Sequence, residues 1–291
     1  MNKYLEVEGL YNDINGFALE DISFIINEGE IVLLGGINSS GKTSLLETLS
    51  LVRKPIDGKI ALFENEVFDG GLKKKSMKKV KSLIGVQFQG DDLFNNLTVK
   101  ETFELFSKGY GSIDIFKFME GCPYLKGALD KRIFELSEGK KQLVRFMLSI
   151  IHDPKMVFLD EPVSNLDLDT RAWVYRKIKK MRSTGTSFLI TLNDMWRIGD
   201  ISNRLMVLSD GRLHQVVDDF SDYHKGCIVK IPIESFDSLK DEAWVLRTER
   251  KENHYDVYSK LSMSAMRDRA GFPYLEIRKA GLKDFLPEVK G

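Results

Sequence analysis

The chain has 291 residues, 43% of them hydrophobic and 30% charged, with 43 basic and 43 acidic side chains in formal balance. That composition excludes a disordered chain, and the length suits one large or two modest domains. Zero net charge excludes a global pull toward nucleic acid, and two cysteines, Cys122 and Cys227, exclude a disulfide framework and suit a reducing cytosol.

In chain order, residues 3–8 and 18–27 alternate and carry β-branched side chains, which predicts strands. Glu30-Ile31-Val32-Leu33-Leu34 is almost wholly apolar and ends in glycines, as a strand buried on both faces does. A glycine-rich loop follows, then Ser44–Leu51 with leucines at 45, 46 and 49 in helical spacing. Residues 97–135 read as helical segments with no strand, within a helical subdomain of about 90–150. Helical patterns at 141–152 and 169–182 flank the apolar run Met156–Leu159, and Ser187–Ile190 and Arg204–Leu208 repeat that apolar character. Alternating strand and helix predicts a parallel sheet with helices on both faces.

From about 222 the pattern changes. Strands at 227–233, 244–249, 255–260 and 274–278, with helices at 235–243 and 263–270, give the ferredoxin-like order β-α-β-β-α-β. The expected architecture is α/β: a P-loop parallel-sheet core with N-terminal antiparallel strands and a helical subdomain over 1–221, then a small α+β domain over 222–291. No stretch approaches the roughly 18 apolar residues that span a bilayer. Met1–Glu8 lacks the apolar run of a signal peptide, so a membrane role is expected to come through a partner.

Gly36-Ile37-Asn38-Ser39-Ser40-Gly41-Lys42-Thr43 matches G-x-x-x-x-G-K-T. Its glycines let successive N–H groups converge, and that cup and the following helix N-terminus both favour anions. Lys42 then reaches the β- and γ-phosphates, and the Thr43 hydroxyl binds Mg²⁺. A chance Gly/Ser-rich turn is the alternative, and the strand before and helix after argue against it. Asp160 and Glu161 end the Met156–Leu159 strand, where open α/β sheets bind ligands. Asp160 is placed to hold Mg²⁺ through water and Glu161 to polarise the attacking water. Alone, the pair would read as an acidic surface turn.

With these motifs the chain resembles the ABC ATPases over roughly residues 3–215. After the phosphate loop come Val86-Gln87-Phe88-Gln89, similar to the family's Q-loop, and Leu136-Ser137-Glu138-Gly139-Lys140, similar to its signature. Val157–Glu161 resembles Walker B, and Ser164-Asn165-Leu166-Asp167 the D-loop. The resemblance implies ATP held by Gly36, Asn38, Ser39, Ser40, Gly41, Lys42, Thr43 and Ser44. It implies Mg²⁺ held by Thr43, Gln89 and Asp160, and hydrolysis by Glu161, Gln89 and Asn193. It further implies two copies stacked head to tail, with Ser137, Gly139 and Asp167 reaching the nucleotide of the other. A separate permease would hold the ATPase at the cytoplasmic face of the membrane, with no direct nucleic-acid contact.

Departures from the family pattern are specific. Ser39 stands where glycine is usual, and Glu138 and Lys140 where the signature has glycine and glutamine. Glu138 adds a negative charge near the phosphates of the other copy, which Lys140 is placed to offset. Thr191-Leu192-Asn193-Asp194 puts Asn193 at the switch histidine. Asparagine hydrogen-bonds but carries no proton, so slow hydrolysis is expected. Tyr11 and Phe17 both lie near the expected adenine position, and each also reads as packing.

Asp92–Thr102, Ile151–Lys155 and Leu282–Leu286 resemble the exporter branch that handles drugs, peptides, lipids or polysaccharides. There Gly90–Asn96 would line a groove for a permease helix; alternatively Leu93, Phe94 and Leu97 fill the subdomain core. Lys73–Lys75 with Lys78, Lys79 and Lys81 could meet lipid headgroups or nucleic acid, but with no interleaved aromatic a solvated helix face is the preferred reading. The competing function is a soluble ABC-type regulatory or nucleic-acid-associated ATPase with weak turnover.

Overall fold

The computed structural model describes residues 2–14, 16–36, 38–90, 93–111, 113–191, 204–217, 227–237, 245–259, 263–268 and 274–279, with Ser202, Glu242 and Leu261 singly. Two compact units emerge, Met1–Asn193 with Met206–Val216, and Asp194–Leu205 with Val217–Gly291.

The first unit begins with β1 (Lys3–Ile14), β2 (Phe17–Asn27), β3 (Ile31–Gly35), α1 (Lys42–Leu49), β4 (Asp57–Leu62) and β5 (Asn65–Asp69). It continues with α2 (Lys74–Lys81), β6 (Ile84–Gln87), α3 (Val99–Lys108), α4 (Ile115–Glu120) and α5 (Glu138–Ser149). Then come β7 (Met156–Asp160), α6 (Leu168–Arg182), β8 (Ser187–Thr191), β9 (Arg204–Ser209) and β10 (Arg212–Val217). One sheet has the order β2-β1-β4-β5 with antiparallel neighbours; the other has the order β10-β9-β3-β8-β7-β6. Within the latter, β3 with β8, β8 with β7 and β7 with β6 pair in parallel.

Every residue of β3, β7 and β8 is buried, as a sheet covered on both faces requires. The core lies where the two sheets and α1 meet. Leu5, Leu10, Leu19 and Ile22 come from the antiparallel sheet, Val32, Leu34, Phe158 and Leu189 from the other, and Leu45, Leu46 and Leu49 from α1. Apolar side chains on the inner faces thus fix the carboxyl ends of β3 and β7 on the same edge of the sheet, with β8 between them.

Strands β4, β5, β6 and β10 went unread in the sequence. The turn joining β4 to β5 shows why: Phe63 and Glu64 have φ of 51° and 61°. Two-residue hairpins that need positive φ usually advertise it with Asn-Gly or Gly, and this one does not. Phe63 instead packs edge-on against Tyr4, ring centroids 5.0 Å apart, and that contact holds the turn.

The second unit contains β11 (Cys227–Pro232), α7 (Ile233–Phe236), β12 (Val245–Arg250), β13 (His254–Ser259), α8 (Met263–Asp268) and β14 (Glu276–Lys279). Its sheet order, β12-β13-β11-β14 with antiparallel neighbours, is the expected ferredoxin-like arrangement. Cys227, Val229, Ile231, Val257 and Met266 form its core. Both cysteines are buried, and burial pushes each thiol pKa up to about 11.

Candidate nucleotide site

The loop between β3 and α1 works because of three backbone positions. Gly36 has a φ of 154°, and a Cβ there would lie 2.3 Å from the Leu208 carbonyl oxygen. Gly41, the residue before α1, has a φ of 97° and lies against the Phe17 ring. Ser39 has a φ of 67°, which explains why glycine is the family's usual residue there: serine accepts a left-handed backbone at a cost.

Asn38, Ser39, Gly41, Lys42, Thr43 and Ser44 line one cleft of about 490 Å³ with Gln89, Asp160, Glu161 and Phe17. Lys42 is 8% exposed and its Nζ donates to the Gly36 carbonyl at 2.9 Å, bridging the loop. Burial pushes its pKa down, and the nearby Glu161 and Asp160 carboxylates oppose that shift. Asp160 is 1% exposed; it accepts from Thr43 Oγ1 at 2.7 Å and from Thr191 Oγ1 at 2.5 Å. A phosphate-loop hydroxyl and a strand-end carboxylate therefore meet on one side of the cleft. Hard oxygen donors so placed fit Mg²⁺.

Glu161 has a φ of 46°, and its main chain is held from three directions. Thr191 Oγ1 accepts from its N–H at 3.0 Å, while Gln142 Nε2 and Ser164 Oγ donate to its carbonyl at 2.9 and 3.0 Å. Burial pushes the Glu161 carboxyl pKa up; a hydrogen bond from Gln89 opposes this and the Asp160 charge adds to it. A carboxylate facing Gln89 beside a phosphate cup can orient and deprotonate a water.

Other predicted residues lie elsewhere. Ser137 caps α5, its Oγ accepting from Lys140 N at 3.4 Å, and it is exposed, as is Asp167. Gly139 sits in the first turn of α5, where a Cβ would lie 2.6 Å from the Asn165 carbonyl oxygen. Asp167 caps α6, accepting from Thr170 N at 2.9 Å and Thr170 Oγ1 at 2.8 Å. Neither motif enters its own chain's cleft. Ser40 is buried in the loop, 2% exposed. The offset expected for Glu138 comes from Lys141, at 2.8 Å, and not from Lys140. Asn193 lies outside the described residues, as does Leu282–Leu286.

Sequence reasoning left the aromatic open, and Phe17, not Tyr11, is the one that lines the cleft. Gln142 was missed altogether. Its position two residues beyond Lys140, on the face of α5 that is buried, was the available signal.

A second cleft, of about 430 Å³, is lined by Val52, Lys81, Gln87, Leu93, Phe106 and Tyr110 among others. Leu93 is buried there while Phe94 is 53% exposed, so that segment both fills the subdomain and presents apolar surface.

A family model described as "ABC transporter" matches residues 19–164. The chain is 28% identical over 228 residues to the methionine import ATP-binding protein MetN 2 of Pectobacterium atrosepticum, covering 74% of this chain and 67% of that one. It is 26% identical to the spermidine/putrescine import ATP-binding protein PotA of Mycoplasma capricolum, covering 74% and 61%. It is 30% identical to the phosphonates import ATP-binding protein PhnC 2 of Haloarcula marismortui, covering 67% and 77%. The chain thus spans 61% to 77% of these relatives' lengths. Among solved structures, a dimeric ATP-binding cassette in a post-hydrolysis state with ADP and phosphate superposes with a TM-score of 0.65 at 21% identity, covering 73% of this chain and 97% of that one. A nucleotide-free cassette from an ABC transporter superposes at 0.62 and 21%, covering 74% and 90%.

Proposed function

The chain belongs to the ABC transporter family, and we propose that it is the subunit that binds and hydrolyses ATP to drive a separate membrane permease. The observation carrying this reading is the single cleft in which Lys42, Thr43, Asp160, Glu161 and Gln89 converge. Loop N–H groups and Lys42 take the β- and γ-phosphates, and Phe17 offers a ring face for the base. Thr43 and Asp160 would hold Mg²⁺, which when bound neutralises phosphate charge. Glu161, oriented by Gln89, takes the proton of the attacking water.

Ser137 and Gly139 act on the ATP of a second copy, since both lie away from their own cleft. The hydroxyl and N-terminus of α5 suit a γ-phosphate. Asp167 joins that interface from the start of α6. No described helix is long and apolar enough to cross a membrane, and the proposed attachment to the cytoplasmic face is through the permease. The second cleft, with Leu93, Phe106 and Val52 as apolar lining, suits a helix laid into a groove. Export is the direction we propose, from the sequence of Asp92–Thr102, Ile151–Lys155 and Leu282–Leu286; the three relatives above carry import names, and transport into inverted vesicles with the co-purified permease distinguishes the two. Slow turnover is proposed from Asn193, and Asn193→His that is no faster than wild type would remove that element.

The test of the whole reading is nucleotide affinity. Lys42→Ala removes a charged hydrogen bond to phosphate, so ATP binding should weaken roughly ten- to hundredfold. Unchanged affinity would overturn the site.

A further inference from the structure

Helix α5 begins at the signature and runs past the catalytic base of its own chain. Ser137 caps it, and Gln142 follows five residues later, about 7.5 Å along the axis. Gln142 and Arg145 are one turn apart on the same face, 4% and 6% exposed. Gln142 Nε2 donates to the Glu161 carbonyl at 2.9 Å. Arg145 donates to the Gly90 carbonyl, next to Gln89. One short helix therefore grips both segments that carry the water-handling side chains.

The backbone of Glu161 makes that grip consequential. A non-glycine residue at φ 46° stays there only when its surroundings fix it. The bonds that fix its carbonyl come from Gln142 and from Ser164. Ser164 lies in the loop that also carries Asn165, and Asn165 presses its carbonyl against Gly139 of the same helix. A displacement of α5 would thus be felt at the Glu161 carbonyl by two routes.

We propose that α5 couples the nucleotide engaged by Ser137, which is the partner copy's ATP, to the aim of Glu161 and Gln89 in its own chain, with Gln142 as the positioning residue. This rests on the two-copy reading above. Each site would then sense whether the other is filled, through a rigid helix and one buried amide.

The experiment uses the full chain in steady-state hydrolysis at saturating Mg-ATP, so that both sites are filled, with nucleotide affinity measured separately. Gln142→Met keeps the volume and removes the donor. It should lower the hydrolysis rate about tenfold while leaving ATP affinity within about twofold. Ser137→Ala should then slow hydrolysis much less in the Gln142→Met background than in wild type, because the pathway is already cut. A merely structural role would shift affinity and rate together and leave the two effects multiplicative. If Gln142→Met does not fold, Gln142→Glu, which turns an acceptor toward the Glu161 carbonyl, is read the same way. Wild-type rate in a folded variant, or multiplicative effects, would overturn the coupling alone. A wild type that binds no ATP would sink the coupling and the proposed function together.

Discussion

Thr43 Oγ1 donates to Asp160 Oδ2 at 2.7 Å, joining the first turn of α1 to the end of β7 across 117 residues of chain. The bond ties the start of α1 to the strand-end carboxylate and holds two oxygen donors in one place. Thr43→Ala leaves a carboxylate that is 1% exposed with one donor fewer. The expected cost is about 1–3 kcal/mol in urea unfolding, and Thr43→Ser should recover most of it. Equal loss in both variants would mean that the methyl packing, not the hydroxyl, carries the contribution.

The raised pKa of Glu161 has a sign that can be checked. Burial favours its protonated form, so the folded pKa lies above the ordinary 4.5. The associated stability is fully present below that ordinary value and is lost as pH rises through the folded value. Glu161→Gln, which cannot ionise, should therefore be more stable than wild type at pH 7–8, and the gap should close as pH falls toward the ordinary glutamate range. The acid limb of the wild-type hydrolysis profile should also sit above the usual carboxylate range. Thermal melts across pH and a rate profile report both; a gap that stays constant with pH would contradict the buried-carboxylate account.

Gly139 is required by the approach of Asn165, whose carbonyl would come within 2.6 Å of a Cβ. Asn165 itself has a φ of 60°, so its loop has little freedom to retreat. Gly139→Ala should destabilise the fold by about 1–3 kcal/mol and shift the Ser164–Asp167 loop, visible in amide exchange there. A variant as stable as wild type would show that the loop yields easily.

Ser39 holds a left-handed backbone in the phosphate cup. Ser39→Val should cost about 1–3 kcal/mol or distort the loop, since β-branched residues avoid that region. Ser39→Gly should retain nucleotide binding. Calorimetric titration with ATP separates them, and equal affinity of the two would mean that the loop rearranges on binding.

The parallel core and the cleft at its carboxyl end were legible because local pattern and tertiary role coincide. Ile31–Leu34 and Met156–Leu159 are apolar throughout since both faces of their sheet are covered. G-x-x-x-x-G-K-T is a backbone requirement written in glycines. What stayed hidden depends on partners distant in sequence. Strand β6 contains Gly85, whose missing side chain makes room for the Ser149 carbonyl, a reason for glycine that no strand pattern displays. The β4–β5 turn draws its stability from Tyr4, and Gln142 matters through a carbonyl nineteen residues away. Phe17 and Tyr11 could not be ranked until Gly41 was seen against the Phe17 ring.

The chain's two native sulfhydryls, Cys122 and Cys227, are wholly enclosed and have pKa values near 11. At neutral pH only a minute share of either is the anion that maleimides attack. A fluorescent reporter can therefore be attached at an introduced cysteine, for example Leu168→Cys at a 73% exposed site beside the cap of α6, without first removing the native ones. Real-time spectroscopy that tests the proposed pairing of two copies is open to this protein in nearly unaltered form.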